Sequence, residues 1–165
     1  MVVMADKSVP TSDHIRDIIS FVEASPTSYH AVAELTRRLE QAGFQRLEET
    51  ESWPSVEGRR YVVRDGAVIA WITPEKVTPQ LGARIVGSHT DSPSFKLKPN
   101  ATVTNQGWQQ VGMEVYGGGL LNSWLDRDLG LSGRLVTCDG QAHLVRTGPI
   151  LRISQLAPRL DRTVN

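Results

Sequence analysis

The chain has 165 residues, 39% of them hydrophobic and 22% charged, the balance of a globular domain with a core rather than of a disordered chain. Lys and Arg together number 18, as do Asp and Glu, so no net field favours nucleic acid or an anionic membrane as a partner. The single cysteine, Cys138, excludes an internal disulfide and a CxxC zinc motif, and it is expected as a packed thiol in a reducing cytoplasm.

Residues 1–10, with Asp6 and Lys7, hold no secretory h-region, and no apolar run approaches the roughly 18 residues of a membrane span. A cytoplasmic protein without a membrane partner is expected. Ile15, Ile18, Ile19 and Val22 repeat at i, i+3, i+4 and i+7, one face of a helix that Thr11, Ser12 or Asp13 can cap and Ser25-Pro26-Thr27 ends. A second helix carries Val32, Leu35, Leu39 and Ala42 on one face and Glu34, Arg37, Arg38 and Glu40 outside, with Gly43 as its stop.

The period then changes. Arg60–Arg64 and Ala67–Ile72 flank Asp65-Gly66 and predict a β-hairpin. After a Pro-containing loop, Ala83-Arg84-Ile85-Val86 predicts a short buried central strand ending at Gly87. Beyond Pro93 no helical period remains. Phe95–Lys98, Val111–Tyr116, Leu131–Thr137, Ala142–Arg146 and Ile150–Ile153 all read as strands, and Asp139-Gly140 as a second hairpin turn. Mixed α/β structure over residues 1–98, then a separate β-rich unit over 99–165, is therefore expected. The chain ends without a stop signal, and one hairpin with one buried strand has too few helices to cover both faces of a sheet; a piece of a longer protein is expected.

The run Gly87-Ser88-His89-Thr90-Asp91-Ser92-Pro93 carries the chemistry. In extended backbone, residues i and i+2 face the same side, so His89 and Asp91 can share one site. A neutral imidazole is a common zinc ligand, and a carboxylate beside it orients the ring or helps a bound water react. Sites in open α/β sheets also gather at the carboxyl ends of strands. The plainer alternative is a turn in which Asp91 caps the next segment.

Other residues read as structural. His14, His30 and His143 form no HExxH pair and suit exposed or capping roles. Gly117-Gly118-Gly119 lacks phosphate-loop spacing and fits a tight turn or bulge. Asp126-Arg127-Asp128 fits an ion-pair network at a domain or subunit boundary better than a catalytic carboxylate pair. No GxSxG elbow supports a serine nucleophile.

Four segments together, Ala24–Val32, Gly87–Pro93, Glu114–Gly119 and Trp124–Arg134, resemble in order and spacing the aspartyl aminopeptidase family of zinc metallopeptidases, from about Phe21 to the C-terminus. The resemblance implies the start of an α/β catalytic domain that holds two zinc ions when complete, interrupted by a β-rich dimerisation domain, both incomplete here. It implies large tetrahedral homo-oligomers and removal of N-terminal residues, often Asp or Glu, from peptides by metal-activated water. The family's His-Thr-Asp motif falls on His89, a zinc ligand, and on Asp91, which supports that ligand and the chemistry.

The family's remaining ligands and its general-base Glu lie further downstream and match no segment here; Glu48-Glu49, upstream of the motif, is not assigned. Where family members often carry a His that reaches a neighbouring subunit's site, this chain has Arg159, whose charge would suit an acidic substrate carboxylate. The expected function is thus zinc-dependent aminopeptidase activity in the complete protein, with the 165-residue chain inactive alone. The alternative is a non-catalytic assembly module derived from such an enzyme.

Overall fold

The computed structural model describes residues 11–53, 57–76, 78 and 81–156. The chain divides into two compact units, Met1–Thr90 with Gly133–Leu144, and Asp91–Ser132 with Val145–Asn165.

In the first unit, helix α1 spans Thr11–Ala24 and α2 spans Ser28–Gln41. Thr27 caps α2: its backbone is extended, and its Oγ1 accepts the His30 amide and lies 2.8 Å from His30 Nδ1. So His30 serves the cap, as expected. At the other end Gly43 (φ +80°) closes the helix. The Gly43 amide donates to the Glu40 carbonyl and the Phe44 amide to the Leu39 carbonyl, a Schellman pattern that satisfies otherwise orphaned carbonyls. Asp17 of α1 receives the Arg38 guanidinium at 2.8 Å, and the same guanidinium lies 5.2 Å from the Phe21 ring centroid. The apolar stripe of α1 forms as a helical face, yet Ile15, Ile18, Ile19 and Val22 are all at least half exposed (Ile18, 62%).

A three-stranded sheet follows in the order β1-β2-β3, made of Gln45–Arg46, Gly58–Arg64 and Ala67–Thr73. The hairpin around Asp65-Gly66 is as expected; the parallel pairing of β1 with β2, Gln45 opposite Arg60, was not foreseen. Asp65 takes a left-handed φ of +52°. Gly66 is needed for space: a Cβ there would sit 2.7 Å from Ser28 Oγ at the start of α2. The core is Ala31 and Val32 of α2 with Leu47, Tyr61 and Val62. Tyr61 is fully buried, and its hydroxyl donates to Glu40 Oε1 at 2.7 Å, so Glu40 is not the free surface charge its helical position implied. Burial, then the Glu40 carboxylate, push the Tyr61 phenol up to about 12.

Strands β6 (Ser132–Val136) and β7 (Ala142–Arg146) form the second expected hairpin. Residues 133–144 of it belong to the first unit. There Arg134 pairs with Asp65 and stacks 4.6 Å from the Tyr29 ring centroid. Gly140 adopts φ +81° in the turn. Cys138 lies exposed in that same turn, which corrects the expected packed thiol: the strand ends at Val136, so position 138 faces solvent.

The second unit is built on the antiparallel pair β4 (Ser94–Asn105) and β5 (Trp108–Tyr116). Gln106 and Gly107 link them with φ +51° and +78°, the two positive values of a type I′ turn. The register shifts between Leu97 and Thr102, where Pro99 has no amide to offer the ladder. The expected 98/99 domain division falls inside this irregular stretch of β4. A 3-10 turn, Leu121–Trp124, sets Trp124 edge-on to Phe95 with centroids 5.4 Å apart. The expected strand at Ile150–Ile153 is reduced to two isolated bridges, Leu125 to Ile153 and Leu129 to Leu151.

Asp126, Arg127 and Asp128 do not pair with one another. Asp128 pairs with Arg152 at 2.8 Å, Arg127 donates to the Ser123 carbonyl, and Asp126 accepts the Gln155 amide. Each is drawn to a different neighbour, so the expected Asp–Arg–Asp network is replaced by three separate ties.

Candidate active-site segment

The predicted strand before the His-Thr-Asp motif is not formed. Residues 81–92 carry no regular secondary structure, and Ile85 and Val86 are 88% and 98% exposed. The reason is physical. A strand exists through its ladder partners, and no described residue pairs with this segment. The apolar run is present, but the neighbours that would make it a central strand are not among the described residues.

The motif is nonetheless tied down, residue by residue. In the first unit, the Thr90 hydroxyl donates to the Gly66 carbonyl at 2.6 Å, anchoring the segment to the β2–β3 turn. His89, the residue before it, is exposed and outside any strand. Asp91 opens the second unit and is half-buried. There the Tyr116 hydroxyl donates to Asp91 Oδ2 at 2.5 Å, a short bond of the charge-assisted kind.

The register explains that contact. Ser94 pairs with Tyr116, so the start of β4 brings Asp91, three residues upstream, to the end of β5. Gly117 then turns the chain with φ +73°; a Cβ there would lie 3.3 Å from Pro93. The glycine run is thus a tight turn against Pro93, as the sequence implied. The Asp91 carboxylate, which accepts that bond, also raises the Tyr116 phenol above its ordinary range. Tyr116 was read from sequence only as the end of a strand. The Gln106-Gly107 turn alone does not place it beside Asp91, because the ladder shifts between Thr102 and Leu97 before it reaches the Ser94–Tyr116 pair.

Other candidates lie apart from this chemistry. His14 and His143 are exposed, on α1 and β7. A cavity of about 460 Å3 in the first unit is lined by residues including Tyr29, Arg46, Asp65 and Arg134 but not His89, and Arg46, Asp65 and Arg134 are all engaged in ion pairs. Arg159 lies outside the described residues.

A zinc site needs at least three protein ligands, and among the described residues no three His, Cys, Asp or Glu side chains are grouped to hold a metal. His89 supplies a suitable donor, but the residues present do not make a whole zinc site. No described helix is long and apolar enough to cross a membrane.

Residues 21–165, which include the α/β unit, the His-Thr-Asp segment and the β-ribbon, match the model of the family described as aminopeptidase I zinc metalloprotease (M18). The chain belongs to this M18 family. It is 53% identical over 153 residues to a probable M18 family aminopeptidase 2 of Streptomyces avermitilis, covering 92% of this chain and 35% of that protein. Among solved structures it matches the crystal structure of prApe1 with a TM-score of 0.83 and 32% identity, covering 93% of this chain and 35% of that one. It also matches the S. cerevisiae mApe1 dodecamer, with a TM-score of 0.79 and 32% identity over 89% of this chain and 36% of that one. The chain therefore spans about a third of the length of the relatives it matches.

Proposed function

We propose that this chain is the N-terminal portion of a zinc-dependent aminopeptidase that removes N-terminal residues, preferentially Asp or Glu, from peptides. The observation that carries the reading is the family match over residues 21–165, which includes the His-Thr-Asp segment. Residues 1–98 are the start of its α/β catalytic domain and 99–165 part of a β-rich dimerisation domain.

In the complete protein His89 ligates one of two zinc ions, and Asp91 orients that ligand and supports the reaction. The remaining ligands and the general-base Glu come from polypeptide beyond these residues. Zinc, when bound, supplies Lewis acidity toward a scissile carbonyl. This chain's own part is to present the His89 imidazole and to hold the Asp91 carboxylate in place. The exposed Ile85 and Val86 support the same reading: in a strand they would point to opposite faces, the pattern of a strand covered on both sides by that further polypeptide.

Homo-oligomer formation runs through the β-rich part, where Trp108 at the tip of the β4–β5 ribbon is 73% exposed. The single, exposed Cys138 fits a reducing cytoplasm.

The test is peptide hydrolysis by the full-length protein and by the 165-residue chain, with zinc content measured for each. The full-length protein releases N-terminal Asp and Glu, and loses both zinc and turnover on His89→Ala. The chain alone, short of ligands, shows no chelator-sensitive turnover. An unaltered zinc content and turnover in His89→Ala would overturn the assignment. Turnover by the isolated chain would overturn the claim that it is catalytically incomplete.

A further inference from the structure

We propose that Tyr116 is a positioning residue for Asp91, fixing through its hydroxyl the carboxylate that the peptidase reaction uses; this rests on the reading of Asp91 just given. Asp91 lies outside any strand, so the direction of its side chain is not inherited from a pleat. The Tyr116 hydroxyl holds Oδ2 at 2.5 Å. One short bond to one oxygen fixes the plane of the carboxylate and with it the direction in which Oδ1 is presented.

The frame behind that bond is local and stiff. Tyr116 is the last residue of β5 and Ser94 the first of β4, and the two are paired across the ladder. Next to them Gly117, in the left-handed region, closes on Pro93. The two ends of the contact are thus joined by three covalent steps on one side and a strand pairing on the other. The phenol stays protonated well above neutral pH, so it remains a donor across the working range. Tyr116 is itself 43% exposed, so losing its hydroxyl leaves no buried void.

The experiment is a double-mutant cycle in the full-length protein, with Tyr116→Phe and Asp91→Asn alone and together, assayed for release of N-terminal Asp from a chromogenic peptide. Tyr116→Phe lowers kcat about 10- to 100-fold, the usual cost of removing a partner of an active-site group, and leaves KM, zinc content and Tm unchanged. In the Asp91→Asn background the same substitution adds no further loss, because the group it acts through is already gone.

The proposal fails if Tyr116→Phe stays within about twofold of the parent kcat, or if its loss is the same in both backgrounds. It also fails if that loss is accompanied by a matching fall in Tm, which would mark a structural role. If Asp91→Asn by itself leaves turnover intact, the reading of Asp91 falls and this proposal with it. A severe Asp91→Asn with a harmless Tyr116→Phe overturns only the present inference.

Discussion

Two short apolar runs in this chain have similar composition and opposite fates. Tyr61-Val62-Val63 forms the middle of β2, with Tyr61 fully buried; Ala83-Arg84-Ile85-Val86 forms nothing regular, and its two largest apolar side chains stand in solvent. The difference is in the neighbours. Strand β2 has β1 on one edge and β3 on the other, and Val32 and Ala31 of α2 share its core. The second run has no ladder partner among the described residues. Apolar, β-branched sequence therefore licenses a strand here but does not create one; the partner creates it.

The comparison is broken most forcefully at Tyr61. Replacing it with Ala in the 165-residue chain empties the centre of a small core, a change that costs about 3–5 kcal/mol for a large aromatic. Urea unfolding followed by far-UV circular dichroism should show the transition lost or moved to much lower denaturant. A midpoint close to the parent's would mean that the β2 run is no more embedded than the 83–86 run.

A smaller effect is expected from pH. Glu34 is hydrogen-bonded by Arg37 and by Arg38, and these bonds hold its carboxyl down to about 2, against an ordinary value of 4.5. A depressed native value stabilises the fold fully above the unfolded value and is lost as pH falls through the native one. Stability should therefore decline between about pH 4.5 and 2, and Glu34→Gln should flatten that part of the curve. The effect is modest because the Arg37 side chain is itself 53% exposed and screened by solvent. Thermal melts of both proteins across that range measure it; parallel curves would remove Glu34 from the account.

The same contrast explains what was legible in the sequence. Features whose chemistry is local were readable. Ser25-Pro26-Thr27 ends α1 and Gly43 closes α2, while Asp65-Gly66 and Asp139-Gly140 turn their hairpins. Each needs only a few adjacent residues to be satisfied. Features set by distant neighbours were not. The α1 stripe of Ile15, Ile18, Ile19 and Val22 reads as a core face and is exposed, because periodicity fixes a side of the helix and not what covers it. The two-residue pairing of β1 with β2 leaves no pattern in sequence. Cys138 was misplaced by two positions of strand length.

At the candidate site, His89 and Asp91 stood out because their types and spacing carry chemistry. Tyr116 did not, because its role depends on a hairpin register interrupted around Pro99.

The smallest expected effect sharpens the comparison most. Ile85→Lys in the 165-residue chain alters a side chain already in solvent, and should change stability by no more than about 0.5 kcal/mol. In the full-length protein the same substitution puts a charge into what the proposed function makes a central strand beside His89. There it should unfold the catalytic domain or abolish turnover, since burying an unpaired charge is costly. The two results together separate sequence from context: one residue, neutral where its partners are absent and severe where they are present. If Ile85→Lys is equally mild in both, the 81–92 segment is a loop in the whole protein too, and His89 does not stand at the end of a strand.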